Sequence, residues 1–321
     1  MEYGKIPGID KPISRIVHGT VMINSREEEK SFALMDAVFE GGCNIFDTAH
    51  NYGGGGDNER TVGKWINDRG VRDKVVILGK GAHHNRDRKK VTPFDITADL
   101  HDSLARFQTD HIELYILHRD DPEVPVGPIV EILNEHQKAG KIGIFGGSNW
   151  STARLREANE YAAANNLSPF ACSSPNFSLA DQVKVPWADC ISISGAAGQS
   201  ERDWYLEQNM PLFTWSSIAG GFFSGRFTRE NINEVAEPKD TVHCYVSDDN
   251  FTRLDRATEL ATEKGMTVAQ IATAYVVNHT LDIYPLIGSW SAEEFQANAA
   301  AVDLKLTAEE MAWLELKSDM R

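Results

Sequence analysis

Long apolar runs are missing from this chain. No stretch approaches the roughly 18 consecutive apolar residues of a membrane span, and the opening residues Met1-Glu2-Tyr3-Gly4-Lys5 do not begin a signal peptide. The expected location is therefore the cytoplasm, with no membrane partner. Cysteine is scarce too: Cys43, Cys172, Cys190 and Cys244 are the 4 in the sequence, widely spaced and without a C-x-x-C pair. Neither a zinc site nor a disulfide framework is indicated, and they read as reduced, mostly buried thiols. Positive charge is in deficit, with 32 Lys and Arg against 47 Asp and Glu for a net charge of −15. Nucleic-acid affinity comes from clustered cations on phosphates, so nucleic acid is excluded as the main partner. The one basic run, Arg86-Asp87-Arg88-Lys89-Lys90, is local and reads as a solvated loop. No stretch reads G-x-G-x-x-G, which removes the fingerprint of a Rossmann site, and no low-complexity segment or linker divides the chain.

What is present is an ordinary globular composition, 41% hydrophobic and 25% charged over 321 residues. That length would allow two domains, but α/β barrels of this size fold as one, and one domain over residues 1–321 is expected. Ile16-Val17-His18-Gly19-Thr20 reads as a first strand, with Gly19 letting a ligand approach the backbone. Arg26 to Glu40 carries Phe32, Met35, Val38 and Phe39 at helical spacing and stops at Gly41-Gly42. Cys43, Ile45 and Phe46 form the next strand. Strand and helix then alternate at roughly 30 to 40 residues per unit, the mark of βαβ units and a parallel sheet. Further strands fall at Val75–Gly79, Ile112–Leu117, Ile142–Gly146, Phe170–Ser174, Leu212–Ser216 and Ile283–Ile287, with helices at Phe94–Phe107, Pro128–Ala139, Ser151–Asn165, Asp255–Lys264 and Thr307–Leu316. Residues 181–200 are irregular and read as an extra strand or a long loop.

The chain is organised around residues 41–65. Asp47 closes one apolar strand, Lys80 the next and His118 the one after, while Tyr52 sits in the glycine-rich loop behind Asp47. In a parallel barrel the C-terminal strand ends share one face, where sites are built. A buried Asp is costly unless a cation meets it, and Lys80 is the candidate.

At these residues the sequence resembles the aldo-keto reductases. The pattern N-x-F-D-T-A-x-x-Y-G-x-x-x-x-E stands at Asn44 to Glu59, followed in order by the Lys80 strand, Leu117-His118 and Gly146-x-Ser148-Asn149. The resemblance covers nearly the whole chain. It implies a (β/α)8 TIM barrel with an N-terminal hairpin plugging its bottom, NADPH or NADH extended across its top, and a tetrad of Asp47, Tyr52, Lys80 and His118. Singly, each of the four has a structural explanation: a cap, loop packing, a surface lysine, a satisfied core histidine. As a matched set they read as catalytic.

Carbonyl reduction needs a hydride source, a proton donor and polarisation of the C=O. Tyr52 would be the acid, its phenol brought down from about 10 by the Lys80 ammonium. Asp47 would hold Lys80, and His118 would orient the carbonyl oxygen. By resemblance, Gly19, Thr20 and Asp47 join the cofactor contacts, Ser148 and Asn149 hold the nicotinamide carboxamide, and Trp215 stacks on its ring. Ser216, Ser217, Ile218, Ala219 and Gly220 form the pyrophosphate loop. Ile287, Gly288, Ser289, Trp290, Glu294 and Asn298 take the adenosine end. Two departures stand out. Ser174 replaces the usual Gln, with Asn176 as a possible substitute. Trp290 and Glu294 stand where members preferring NADP carry a cation, so NAD use is open, with Arg226 and Lys239 as alternative cations for a 2′-phosphate.

The expected substrate is a small carbonyl or alcohol compound. Met22, Ile23, Asn51, Arg119-Asp120-Asp121 and the segment Phe222–Asp249 would wall its pocket, and Trp150 and Trp187 either join that wall or pack in the barrel shell. The mouth with Arg119, Asp120 and Asp121 suits a polar compound such as a sugar, and the long C-terminal substrate loop of steroid-type members is not expected. Two other classes compete with this reading. A regulatory or scaffold subunit on the same fold would retain cofactor with little turnover. A metal hydrolase has only His83-His84 as a candidate, and adjacent residues on an extended segment point apart, so no metal is expected.

Overall fold

The computed structural model describes residues 1–237 and 239–321; Pro238, inside the segment assigned to the barrel mouth, lies outside the described residues. The chain opens on a short antiparallel hairpin, β1 (Tyr3–Gly4) and β2 (Ile13–Ser14). There follow β3 (Val17–Gly19), α1 (Glu28–Glu40), β4 (Ile45–Asp47), α2 (Asp57–Arg69), β5 (Val76–Gly81), α3 (Pro93–Phe107) and β6 (Ile112–Leu117). The alternation continues through α4 (Val126–Lys138), β7 (Ile142–Ser148), α5 (Thr152–Ala164) and β8 (Cys172–Ser174). Then come α6 (Gln199–Gln208), α7 (Ile232–Val235), α8 (Asp248–Lys264), α9 (Val268–Val277), β9 (Leu286–Ile287), α10 (Ala292–Ala300) and α11 (Ala308–Leu314).

The sheet runs β8-β7-β6-β5-β4-β3-β9, every pair parallel. Its two edges are joined through Leu212, which bridges Ser173 on one side and Ile283 on the other. Backbone bonds Phe213 N–H to Ser173 O at 2.9 Å and Tyr284 N–H to Leu212 O at 2.7 Å complete the ring. This is the expected (β/α)8 barrel, with one difference. The predicted strand Leu212–Ser216 survives only as isolated bridges at Leu212 and Trp215. Pro175, Pro211 and Pro285 each remove a ladder donor at this seam, and Ser216 turns away at φ +52°.

Inside the barrel, Val17, Ile45, Val76, Leu78, Leu114, Ile116, Ile144, Cys172, Phe213 and Tyr284 pack together with Ile6, Ile9 and Ile13 of the hairpin. Lys11 fixes that stopper at the N-terminal ends of the strands, donating to Val75 O at 2.7 Å and Glu113 Oε1 at 2.7 Å. A second, larger core lies between sheet and helices.

Residues 181–198 form a long loop with one bridge, Asn176 to Ser192, and α6 begins at Gln199, so the extra strand is not found among the described residues. The basic run is a solvated loop as expected, with Arg86 to Lys89 exposed and Lys90 half-buried, and its cations are paired. Arg88 pairs with Asp95 at 2.6 Å, Lys90 with Asp99 at 2.8 Å and Lys89 with Asp121 at 3.5 Å. No described helix is long and apolar enough to cross a membrane.

Candidate active site

β4 ends in Asp47 because the last inward position of a buried strand is also the first to reach the barrel mouth. β5 places Lys80 beside it in the same way, and the two buried side chains form an ion pair. The loop after Asp47 folds back through four successive glycines, Gly53 to Gly56, with φ of +69°, +58°, +64° and +83°. Only glycine adopts such a run without strain, and it brings Tyr52 over the pair. Glu59 secures the loop from behind: fully buried, it accepts from Ser103 Oγ at 2.6 Å and Arg106 Nη1 at 2.8 Å, while Arg106 also donates to His50 O at 3.0 Å. The glutamate that ends the motif is thus a brace, away from the site itself.

The Lys80 ammonium lies 5.3 Å from the Tyr52 ring centroid. The Tyr52 and His118 rings meet edge to face at 5.9 Å, and His83 packs on the other side of His118 at 4.8 Å. All four predicted tetrad residues line one cavity of about 330 Å³, together with Gly19, Ser148, Asn149, Ser174, Trp215, Ser216 and Gly288.

The electrostatics follow from burial and from each other. Burial alone pulls the Lys80 ammonium down, but the Asp47 carboxylate outweighs it and holds Lys80 above its usual value, hence charged. Burial pushes the Tyr52 phenol up, and Lys80 only partly opposes this. The expected lowering of Tyr52 is therefore not met: desolvation wins over the ammonium, and the proton stays on oxygen at neutral pH. His118 is driven well below its ordinary value, first by burial and then by Lys80, His83 and Arg119, which leaves a neutral imidazole. Its Nδ1 is buried without a hydrogen-bond partner.

Among the residues assigned to a dinucleotide, those near the nicotinamide position converge and the rest spread outward. Ser148 Oγ donates to Ser174 O at 2.9 Å, and Asn149, at φ +59°, donates to Ser148 Oγ at 3.1 Å. Trp215 Nε1 is buried and unpartnered. Gly19 and Gly288 leave one wall free of side chains. The turn after Trp215 is built of left-handed residues, Ser216, Ala219, Gly220 and Gly221, at φ +52°, +55°, +60° and +92°. Within it Ala219 N–H donates to Ser216 O at 2.7 Å and Gly221 N–H to Ile218 O at 3.1 Å, so the donors left for an anion-binding concavity among the described residues are the N–H groups of Ser217, Ile218 and Gly220. These features fit a nicotinamide dinucleotide.

Other assignments do not reach the cavity. Thr20 is fully buried, donating to Asp47 O at 2.8 Å, and so steadies the strand end. Ser217 donates back to Thr214 O at 3.1 Å. Ile218, Ala219, Gly220, Arg226, Ile287, Ser289, Trp290, Glu294 and Asn298 lie outside the cavity wall, further along the mouth. Buried Asn298 donates to Ser289 Oγ at 3.3 Å, and Glu294 accepts from Trp290 N–H at 2.8 Å at the start of α10. Asn176 does not replace the missing glutamine, since its amide is consumed by Trp215 O, the Tyr245 hydroxyl and Ser192 Oγ at 3.0, 3.1 and 2.7 Å.

Of Arg119, Asp120 and Asp121, only Arg119 lines the cavity; Asp120 pairs with Arg154 at 3.2 Å. Trp150 belongs to the shell, fully buried against Phe170, whereas Trp187 does face the cavity, 6.0 Å from Trp215. Val21, Cys190 and Leu286 complete the wall. Cys190 escaped the sequence reading because its segment carries no periodicity.

The profile of the aldo/keto reductase family matches residues 15–319. The chain is 26% identical over 322 residues to the uncharacterized oxidoreductase YrpG of Bacillus subtilis, spanning 96% of this chain and 93% of that one. It is 28% identical over 309 residues to the norsolorinic acid reductase stcV of Emericella nidulans, spanning 90% and 72%. The solved structure of a glycerol dehydrogenase from Gluconobacter oxydans superposes with a TM-score of 0.80 at 20% identity, covering 99% of this chain and 97% of that one, which speaks for the fold alone. With the match running from just before β3 to beyond α11, this chain belongs to the aldo/keto reductase family.

Proposed function

We propose that the chain reduces an aldehyde or ketone to an alcohol with NADH or NADPH, using Tyr52 as the acid. The family generally uses these cofactors. The observation that carries the reading is the single cavity in which Asp47, Tyr52, Lys80 and His118 meet Trp215, Ser148 and Asn149.

A bound reduced nicotinamide would supply hydride. The rest is the work of this chain. Tyr52 keeps its proton until alkoxide charge develops, and then the Lys80 ammonium stabilises the phenolate left behind. Asp47 keeps Lys80 charged and aimed. Neutral His118 donates a hydrogen bond to the carbonyl oxygen, and with Tyr52 forms a two-point contact. The substrate is a small polar carbonyl compound, because the cavity wall mixes Arg119 and Cys190 with Trp187, Val21 and Leu286.

NADH binds at least as well as NADPH in this reading. Exposed Trp290 and Glu294 put no cation at the start of α10, while Arg226 lies over the Phe227 ring at 5.1 Å and Lys30, beside Trp290, is paired with Glu27 at 3.5 Å. Quenching of Trp215 fluorescence on titration with each dinucleotide measures the preference directly.

The decisive variant is Tyr52→Phe, which removes one hydroxyl. Reduction of a panel of aldehydes should fall by about 10²–10⁴-fold, the worth of a positioned acid, with dinucleotide quenching retained. Turnover close to the wild type would remove Tyr52 from its role. Quenching by neither dinucleotide would remove the reductase reading.

A further inference from the structure

In the sequence Arg119 is followed at once by two acids, and a mouth of mixed charge is the natural expectation. The fold separates them. β6 ends at Leu117, so His118 and Arg119 turn into the cavity while Asp120 and Asp121 are carried outward. Asp120 is taken by Arg154, whose Nε lies 3.2 Å from it across α5, and Asp121 by Lys89 at 3.5 Å. Asp189, on the facing loop, leans on His84 at 3.9 Å.

Arg119 is left alone. The residue is buried, with 6% relative exposure, yet among the described residues it forms no ion pair with any carboxylate. Its one side-chain hydrogen bond runs from Nη1 to the carbonyl of neighbouring His118 at 3.1 Å. Among the described residues Nε and Nη2 have no protein acceptor, and the residue lines the cavity beside Tyr52 and His118. A buried cation without a counterion is costly. The other cation in the cavity, Lys80, is already neutralised by Asp47. His118, His83 and His84 are each held below their ordinary values, first by burial and in part by Arg119, so these rings are neutral and leave the guanidinium charge uncompensated. The local field is positive although the whole chain is strongly negative.

We infer that the substrate carries an anionic group, a carboxylate or a phosphate, in addition to its carbonyl, and that Arg119 receives it while Tyr52 and His118 receive the carbonyl oxygen. This rests on the reductase reading of the same cavity and narrows its substrate class. The planar fork of arginine matches both anions in a bidentate way. Holding the anion at Arg119 fixes the carbonyl end near the proton donor, and a neutral compound of equal length would leave the guanidinium unpaired. Arg119 is thus a specificity residue, acting on binding rather than on the bond being made.

The test uses matched pairs: butanal against 4-oxobutanoate, and glyceraldehyde against glyceraldehyde 3-phosphate. The wild type should favour at least one anionic member by about tenfold or more in kcat/KM, mainly through KM; which pair shows it distinguishes carboxylate from phosphate. Arg119→Gln should abolish that ratio and Arg119→Lys should restore part of it, a rescue that a merely misfolded variant would not show. Equal or better use of both neutral members by the wild type, or a ratio that survives Arg119→Gln, overturns the inference. If no compound is turned over with either dinucleotide, the reductase reading falls separately. Succinate and inorganic phosphate, titrated against the Trp187 and Trp215 fluorescence, then decide for the anion site: quenching lost in Arg119→Gln keeps it, and no quenching overturns it.

Discussion

The barrel has two unlike arcs. From β3 to β8 the ladders are continuous and parallel, and each strand that matters to the chemistry ends in a charged or polar side chain held by neighbours. From Leu212 to β9 the ring is closed by single bridges, proline-broken strands and a turn of left-handed residues. In the proposed reading the first arc carries the side chains of the reaction, which need a fixed electrostatic relation. The second would offer backbone to the pyrophosphate of a dinucleotide, which calls for free N–H groups rather than for a regular ladder. On that reading regularity follows the part of the site where side chains act, and irregularity the part where the main chain acts.

The sharpest way to break this comparison is at Asp47 and Lys80. Lys80→Met alone strands a buried carboxylate and should cost about 3–5 kcal/mol, read as a lowered urea midpoint. The double variant Asp47→Asn, Lys80→Met should recover most of that stability with carbonyl reduction still lost. Recovery of activity with stability would mean the pair serves the fold alone.

A smaller effect comes from two histidines that are not in the cavity. His18 on β3 and His279 after α9, one in each arc, are both pulled down to about 4, chiefly by burial. A depressed histidine means that the unfolded chain binds more protons than the folded one, so stability falls as pH drops from about 6.5 towards 4. Each contributes about 3 kcal/mol across that window at about 1.36 kcal/mol per pH unit. Urea unfolding at pH 7 and pH 4.5 measures it, and His18→Leu, which keeps the packing between Phe46 and Phe295, should flatten the pH dependence. An unchanged slope in that variant would place the acid lability elsewhere.

The smallest effect is expected at Gly220. With φ +60° and a Cβ that would approach Thr241 Oγ1 to 2.7 Å, Gly220→Ala should cost about 1–3 kcal/mol of local strain. It should weaken dinucleotide quenching while leaving the Asp47–Lys80 arc intact. An unaltered dinucleotide affinity would show that this turn does not take part in binding.

The same division governs how much could be read from the sequence. The first arc was legible because an apolar run that stops abruptly at Asp47, Lys80 or His118 announces both a strand and its end. Its fold class and the meeting of all four side chains followed from that. The second arc was not, since Pro175, Pro211 and Pro285 interrupt the strand pattern, and nothing in the letters marks Ser216 or Ala219 as left-handed. Long-range pairing was equally hidden. Asp120 and Arg154 are 34 positions apart, so the sequence placed an acid at the mouth that the fold takes away. The Tyr52 shift was misjudged for a related reason: the neighbouring ammonium is visible in a motif, but the degree of burial is not.

One consequence of the closure concerns the order in which the molecule is made. β3 hydrogen-bonds to β9, with Val17 beside Leu286, so a strand near the start of the chain waits for one near its end. Until that late segment emerges from the ribosome, the growing chain holds an open sheet with an unsatisfied edge on β3. Barrel closure is a contact of extreme sequence separation, and loop-closure entropy makes such contacts slow. For most of synthesis, therefore, the edge of β3 has no strand partner on that side until the last strand arrives.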